Sequence, residues 1–434
     1  MVRRLAVVVV VAVLLAGVAA SAGAETVRRE RLDNGFTVIV RENTLTPVVA
    51  LSLLVKMGGR WERADQAGIS NFLHAVMVKG TSERSGADLA EAVASMGGKL
   101  TASGDVDYSG ISAQALARFW KDLLALTADL ALHPKLAPDE VQIERDWLVS
   151  RIQRRRDNPS SRAFDEFYAA LYGPHPYGRP TLGTPETLAK IDQPALAAYY
   201  QEFYRPERMV LSVSGDVRPD EVVAEARRLF GGMKPGGPVA PPSNPTPVPA
   251  GRPTVIEQPA QQAQILAGGL APALDHPDYA AVKVLASVLG GGMAGRLFSE
   301  LRDKQALAYT ASAYYDPVKE PGALVLYLGT APENLTKAEE ALQREIERIR
   351  RDLVGAEELQ RAKGYLLGSY AMDRRTNARQ AWYGGFYEVE AVGLDYPDRY
   401  RKSVDAVTAD DLLRVARTYL AKPTVVVLRP PPTR

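Results

Sequence analysis

The segment GISNFLHAVMVKGT, Gly68–Thr81, carries a one-sided helix into a glycine turn. Ile69, Phe72, Leu73, Val76 and Met77 fall at i, i+3, i+4, i+7 and i+8, which is a single apolar helical face. Asn71, His74, Ala75 and Val78 lie on the other sides. Positions 71 and 75 are surface neighbours, four residues apart. Two histidines there would chelate one metal ion, and a carboxylate between them would serve as a base. Asn71, His74 and Ala75 do neither.

Outward from this helix the chain alternates strand and helix patterns. LDNGFTVIVRE holds the Asn34-Gly35 turn signal feeding an alternating strand. VVALSLLVKMG is a mostly apolar strand of the buried kind. Helical patterns cover SGADLAEAVASMG and ARFWKDLLALTADLAL, and GKLTASGDVDYSGISAQAL returns to strand alternation. This mixture predicts an α+β fold, a mixed sheet with helices packed on it.

The segment Gly231–Thr254, GGMKPGGPVAPPSNPTPVPAGRPT, is too rich in Pro and Gly for a helix or central strand. It predicts a semi-extended, solvated linker between domains at 25–230 and 255–434. Both halves close with a helix pattern, a Pro break and an apolar strand: IDQPALAAYYQEFYRPERMVLSVSG and VTADDLLRVARTYLAKPTVVVLRP. Asp192 and Thr408 are the expected N-caps. The period is too long for a solenoid and fits two similar domains.

Residues 1–24 have Arg3 and Arg4, an unbroken apolar run, and Ala22-Gly23-Ala24. That is the layout of a cleaved secretory signal, which places the mature chain across the inner membrane, in the periplasm. The run is short for a span of roughly 20 residues; a retained anchor is the alternative. No later segment is long and apolar enough to cross a membrane. There is no Cys to bridge or to carry a lipid. A formal net charge of +2 points to neither nucleic acid nor acidic lipid as a partner.

GISNFLHAVMVKGT resembles the segment of the insulinase-like (pitrilysin) zinc peptidases in which an inverted H-x-x-E-H precedes a hydrophobic pair and K-G-T. The resemblance continues through ERDWLVSRI, LYGPHPYGRPTLGTPETL, FYRPERMVLSVSGDV and GGGMAGRLFSELRDKQALAYTASAYY. It implies two similar domains that clasp around a chamber. Carried over residue by residue, the first His ligand falls on Asn71, the catalytic Glu on His74, the second His on Ala75, and the third ligand, a Glu, on Arg151. Asn is a poor zinc ligand, Ala has no ligating atom, and Arg is a fixed cation. One His does not supply the three protein ligands of a catalytic zinc. The remaining histidines, His133, His175 and His276, read as ordinary polar or capping residues. The chain is therefore expected to bind no zinc and to be inactive alone.

The resemblance also makes GGKLTASGDVDY the substrate-binding edge strand, to which a peptide adds as a further strand. The family usually shows Asn-Ala there; this chain has Thr101-Ala102. Backbone pairing survives the change, while a substrate-fixing amide is lost.

GRLFSELRDKQALAYTASAYY reads as a helix with the stripe Leu297, Phe298 and Leu301. A strand follows, with Tyr309, Ala311, Ala313 and Tyr315 on one face. In the resembling family an Arg at this spacing binds the substrate backbone, and a Tyr donates to the developing oxyanion. Both are kept, as Arg302 and Tyr309. The LGGG run at Leu289–Gly292 lacks the G-K-[ST] of a phosphate loop and reads as a turn. RIQRRRDNPSSR puts positive charge at a helix C-terminus, where the dipole favours it.

These features point to the non-catalytic subunit of a two-chain zinc peptidase, similar to a bacterial pair or to the mitochondrial processing peptidase. An H-x-x-E-H-bearing sister chain would hold the zinc, and unfolded peptides would be the substrate. The alternative, of a different class, is a non-enzymatic scaffold or peptide-binding protein of the same fold, as in the core subunits of the respiratory bc1 complex.

Overall fold

The computed structural model describes residues 27–237, 244–249 and 251–432. The expected signal segment lies outside these residues. Among the described residues no helix is long and apolar enough to cross a membrane.

The first half builds a six-stranded sheet in the order β1-β2-β6-β3-β5-β4. Its strands are β1 (Val27–Arg31), β2 (Thr37–Glu42), β3 (Val48–Val55), β4 (Lys99–Gly104), β5 (Ser109–Leu116) and β6 (Met209–Gly215). Asn34-Gly35 makes the expected turn, with Gly35 at φ +92° and its N–H donating to Leu32 O at 2.8 Å. The second half builds a five-stranded sheet, β7-β11-β8-β10-β9. These are β7 (Thr254–Glu257), β8 (Ala263–Ala271), β9 (Thr310–Tyr315), β10 (Gly322–Thr330) and β11 (Thr424–Arg429).

The duplication extends to topology. β6 runs parallel to β2 and antiparallel to β3; β11 runs parallel to β7 and antiparallel to β8. Each closing strand follows a capped helix. Asp192 accepts from Ala195 N–H at 2.9 Å and Thr408 from Asp411 N–H at 3.1 Å, as the sequence predicts.

The helices that frame the site are α1 (Ile69–Met77), α2 (Gly86–Ser95), α3 (Trp120–Leu132), α4 (Pro138–Asp157), α5 (Pro159–Tyr172) and α6 (Gln193–Phe203) in the first half. In the second half they are α7 (Asn377–Val389) and α8 (Ala409–Tyr419). One face of the first sheet packs with α1, α3 and α4 in a core around Phe36, Phe72 and Phe230. Its other face is covered by α7 from the second half. A Cβ on Gly384 would come within 2.5 Å of Ser212 Oγ, so a larger residue there would require that hydroxyl to turn away. Reciprocally, α5 of the first half covers the second sheet, with Phe167 and Leu171 against Leu266 and Val426.

Each half thus borrows a helix to bury the back of its sheet. This exchange explains why β6 and β10 are buried at every residue: sheets covered on both faces need continuous apolar strands. The linker expectation is corrected. Thr254 already pairs with Val426 as the first residue of β7. The described linker residues are also docked rather than merely solvated. Asn244 Nδ2 donates to Glu320 at 3.0 Å, and Val248 N–H to Tyr172 O at 3.3 Å. Prolines remove donors but leave these few polar groups free to find partners.

Candidate functional site

Helix α1 is anchored at its start by a buried acid. The Glu62 carboxylate accepts Gly68 N–H at 2.7 Å and Ser70 N–H at 2.9 Å, satisfying helix N-terminal donors that have no partner within the helix. Burial holds the Glu62 carboxyl above its ordinary value, against these two bonds. The predicted apolar face, Ile69, Phe72, Leu73, Val76 and Met77, is buried throughout.

His74 departs from expectation. It is fully buried rather than on the cleft side. Its Nδ1 lies 2.7 Å from Ser70 O and its Nε2 2.8 Å from the Tyr204 hydroxyl. A carbonyl only accepts, so Nδ1 carries the proton and Nε2 accepts from Tyr204. Burial pushes the imidazole down to about 4, from an ordinary 6.5. Between those values the unfolded chain binds a proton that the folded chain refuses. Stability is therefore full above pH 6.5 and falls as the pH drops to 4, by about 3 kcal/mol. Urea unfolding at pH 7.5 and 4.5 should show this loss, and the His74→Gln variant should lack that part of it. An identical pH slope in both proteins would refute the assignment.

Asn71 and Ala75 are half-buried on the remaining side of α1. Strand β4 passes directly alongside: a Cβ on Gly104 would fall 2.7 Å from Asn71 N. β4 is the outermost strand, paired only with β5; Thr101 is exposed and Ala102 half-buried. Arg151 is exposed on α4, beside the buried Leu148 and Ile152. Seven residues earlier on that helix, Glu144 holds Lys79 at 2.6 Å. This donor set does not fit zinc. An amide, a methyl group and a guanidinium stand at the positions the resemblance assigns to ligands, and the imidazole is turned into the core with both nitrogens bonded. Among the described residues no group of three or more His, Cys, Asp or Glu could hold a metal ion.

The second constellation sits elsewhere. Leu297–Lys304 is a π-helix, not the α-helix its pattern predicts. Such turns are rare and recur at functional sites. Leu297 and Leu301 are buried; Arg302 is exposed, its guanidinium 4.7 Å over the Phe298 ring. The chain then turns through Ala306 at φ +51°, a left-handed conformation unusual for a residue with a Cβ. Tyr309 comes just before β9, with its N–H on Gly329 O at 2.8 Å. Its ring is 60% exposed, so it does not share the inward face of Ala311 and Tyr315. Arg302 and Tyr309 are thus both presented outward, and neither lines the cavity between the halves.

That cavity, of about 420 Å³, is bounded by Asp105, Asp107 and Tyr177 on one side and by Asp316, Trp382 and Phe386 on the other. Asp105 directly follows β4, so the cavity lies at the end of the edge strand. Beneath it runs a polar junction that sequence reasoning missed. Asp107 accepts from Tyr177 Oη at 2.6 Å and from Lys319 N–H at 2.9 Å, and pairs with Arg60 Nε at 2.9 Å. Burial holds the Asp107 carboxyl above its ordinary value. His175, read as a polar or capping residue, does cap: its Nδ1 accepts from Tyr177 N–H at 3.2 Å, and the ring is fully buried with Nε2 2.7 Å from Glu320. Burial alone would raise Glu320, but bonds from His175, Asn244 and Arg60 bring it down to about 2. Burial and the nearby Asp107 push Glu390 up to about 8. The sequence signal was the Pro/Gly loop GPHPYG, whose importance depends on Asp107 and Glu320, 70 and 145 positions from their partners in the loop.

Comparison with known proteins agrees with this architecture. Residues 37–185 match the insulinase family, peptidase family M16, and residues 190–366 match the region described as the peptidase M16 inactive domain. The chain belongs to the insulinase-like M16 peptidase family. It is 31% identical to an uncharacterised zinc protease of Mycobacterium leprae over 91% of this chain and 89% of that one. With the uncharacterised zinc protease YmxG of Bacillus subtilis it shares 28% identity over 82% of this chain and 87% of that one. Among solved structures, a protease from Helicobacter pylori superposes with TM-score 0.86 at 23% identity, covering 94% of this chain and all of that one. A peptidase M16 inactive domain from Pseudomonas fluorescens gives 0.84 at 21%, covering 94% and 99%.

Proposed function

We propose that this chain is the non-catalytic subunit of a two-chain zinc peptidase acting in the periplasm. The observation that carries the reading is a contrast within one molecule. The ligand positions at Asn71, Ala75 and Arg151 are occupied by groups that cannot hold zinc, while Arg302 and Tyr309 are kept and turned outward. A donor pair exposed on the surface and absent from the chain's own cavity supports a role toward a neighbouring chain.

In this role Arg302 donates to a carbonyl of the bound peptide, and the Phe298 ring beneath it restricts its guanidinium to one arc. The Tyr309 hydroxyl donates to the oxygen that becomes negative as the scissile carbonyl turns tetrahedral. Zinc, held by the partner, would supply a hydroxide at neutral pH. The free edge of β4 offers backbone pairing to an extended peptide, with Thr101 and Ala102 alongside it.

The test is cleavage of an internally quenched peptide library by the chain alone, by a candidate H-x-x-E-H partner alone, and by the mixture, with zinc present. Activity confined to the mixture supports the reading. A stable complex without activity favours the scaffold alternative. Zinc-dependent cleavage by this chain alone overturns the account of its first half.

A further inference from the structure

Helix α4 leaves one row of its surface uncovered. Ile143, Trp147 and Arg151 stand at i, i+4 and i+8, and Arg154 at i+11 falls on the same face. Ile143 is 52% and Trp147 59% exposed. The Arg154 guanidinium lies 5.5 Å over the Trp147 ring. The ion pairs on α4, Glu144 with Lys79 and Arg155 with Asp165, leave Arg151 and Arg154 without a carboxylate partner among the described residues. Single exposed apolar side chains are ordinary. Two in register with two unpaired guanidiniums are the composition of an interface centre, where Trp and Arg are enriched.

The position of the row narrows the occupant, resting here on the shared-site reading above. If the segment Leu297–Tyr309 of this chain reaches a partner's site, two chains of one fold related by a pseudo-twofold axis make the reciprocal contact. The partner's equivalent segment then arrives where α4 packs on α1, the face that carries Asn71 and Ala75 and that the row passes at Arg151. We propose that Ile143, Trp147, Arg151 and Arg154 form the docking surface for that segment of the zinc-bearing subunit. The partner presents an acidic side chain in an apolar setting: a carboxylate answers the two unpaired guanidiniums, and an apolar side chain covers Trp147 and Ile143.

The test measures the Kd between the full chain and a purified H-x-x-E-H candidate by sedimentation, with thermal unfolding to show that each variant is folded. Trp147→Ser and Arg151→Glu should each weaken binding at least about 10-fold. Arg401→Ala, at an exposed position on another helix, should not change it. Activity titrated with excess variant should return to the wild-type plateau at a higher half-saturating concentration, because the row touches no reacting atom. Unchanged Kd for both variants in an active complex overturns the docking surface and leaves the shared-site reading intact. A tight but inactive complex, weakened by both variants, supports the docking surface and overturns the shared-site reading. No association of the wild-type chains overturns both. Self-association of this chain that Trp147→Ser abolishes overturns the stated occupant in favour of a second copy.

Discussion

On the proposed shared-site reading, Tyr309→Phe should lower kcat of the reconstituted complex by about 10²–10³-fold, the effect of removing one donor aimed at an oxyanion. The fold should not register the change. The ring is 60% exposed, and surface substitutions of this kind stay within about 0.5 kcal/mol. Complex formation should be unaltered, so the loss appears in kcat and kcat/KM together, the signature of an interaction made only in the transition state. Arg302→Lys behaves differently. It keeps the charge but loses the planar fork that stacks on Phe298 and aligns a carbonyl, so KM should rise as well. Steady-state kinetics of the reconstituted complex separates the two. An unchanged kcat in Tyr309→Phe removes that residue from the chemistry.

Asp107→Ala destabilises the chain by about 2–6 kcal/mol, the cost of orphaning two buried donors while removing one of the two carboxylates that face Arg60. The carboxylate is 4% exposed and serves three partners: the Arg60 guanidinium, the Tyr177 hydroxyl and the Lys319 N–H. Arg60 would keep Glu320 at 3.1 Å but lose its second counter-charge, and two donors would be orphaned. Arg60 and Tyr177 come from the first half and Lys319 from the second, so the loss falls on the contact between halves. Denaturant unfolding should show the lower midpoint, and amide exchange should rise first in α5 and α7, the exchanged helices. Asp107→Asn, which retains an acceptor and most of the shape, should cost less. Equal stability of the Ala variant and wild type would mean that the junction contributes nothing.

Much of this molecule was legible in one dimension. The α1 face, the Asn34-Gly35 turn and the two caps at Asp192 and Thr408 all depend on neighbours within about ten residues, and the local pattern states them directly, whereas the edge position of β4 came from the family resemblance, because an edge is a property of the whole sheet. The degenerate ligand positions are visible for a simpler reason, since a ligand set is defined by residue type at fixed spacing. His74 was misplaced because a polar residue on the flank of a helix reads as outward-facing. Tyr204, 130 residues away, supplies the partner that makes its burial tolerable. The linker looked solvated because Pro-rich composition reports missing donors, not where the remaining ones dock.

By itself the sequence determined the α+β class, the duplicated halves and the residue types at Asn71, Ala75, Arg151, Arg302 and Tyr309 on which the proposed function rests. Only the tertiary structure decided that the halves exchange helices, that α5 and α7 seal each other's sheets, and that Arg60, Asp107, His175 and Glu320 meet at their junction. It also decided that Arg302 rides on a π-helix and that Tyr309 faces out. The division has one physical cause. Hydrophobic periodicity and ligand spacing are properties of adjacent residues. A buried charge, by contrast, is stable only beside a partner that the chain brings from far away, and the local pattern carries no record of that partner.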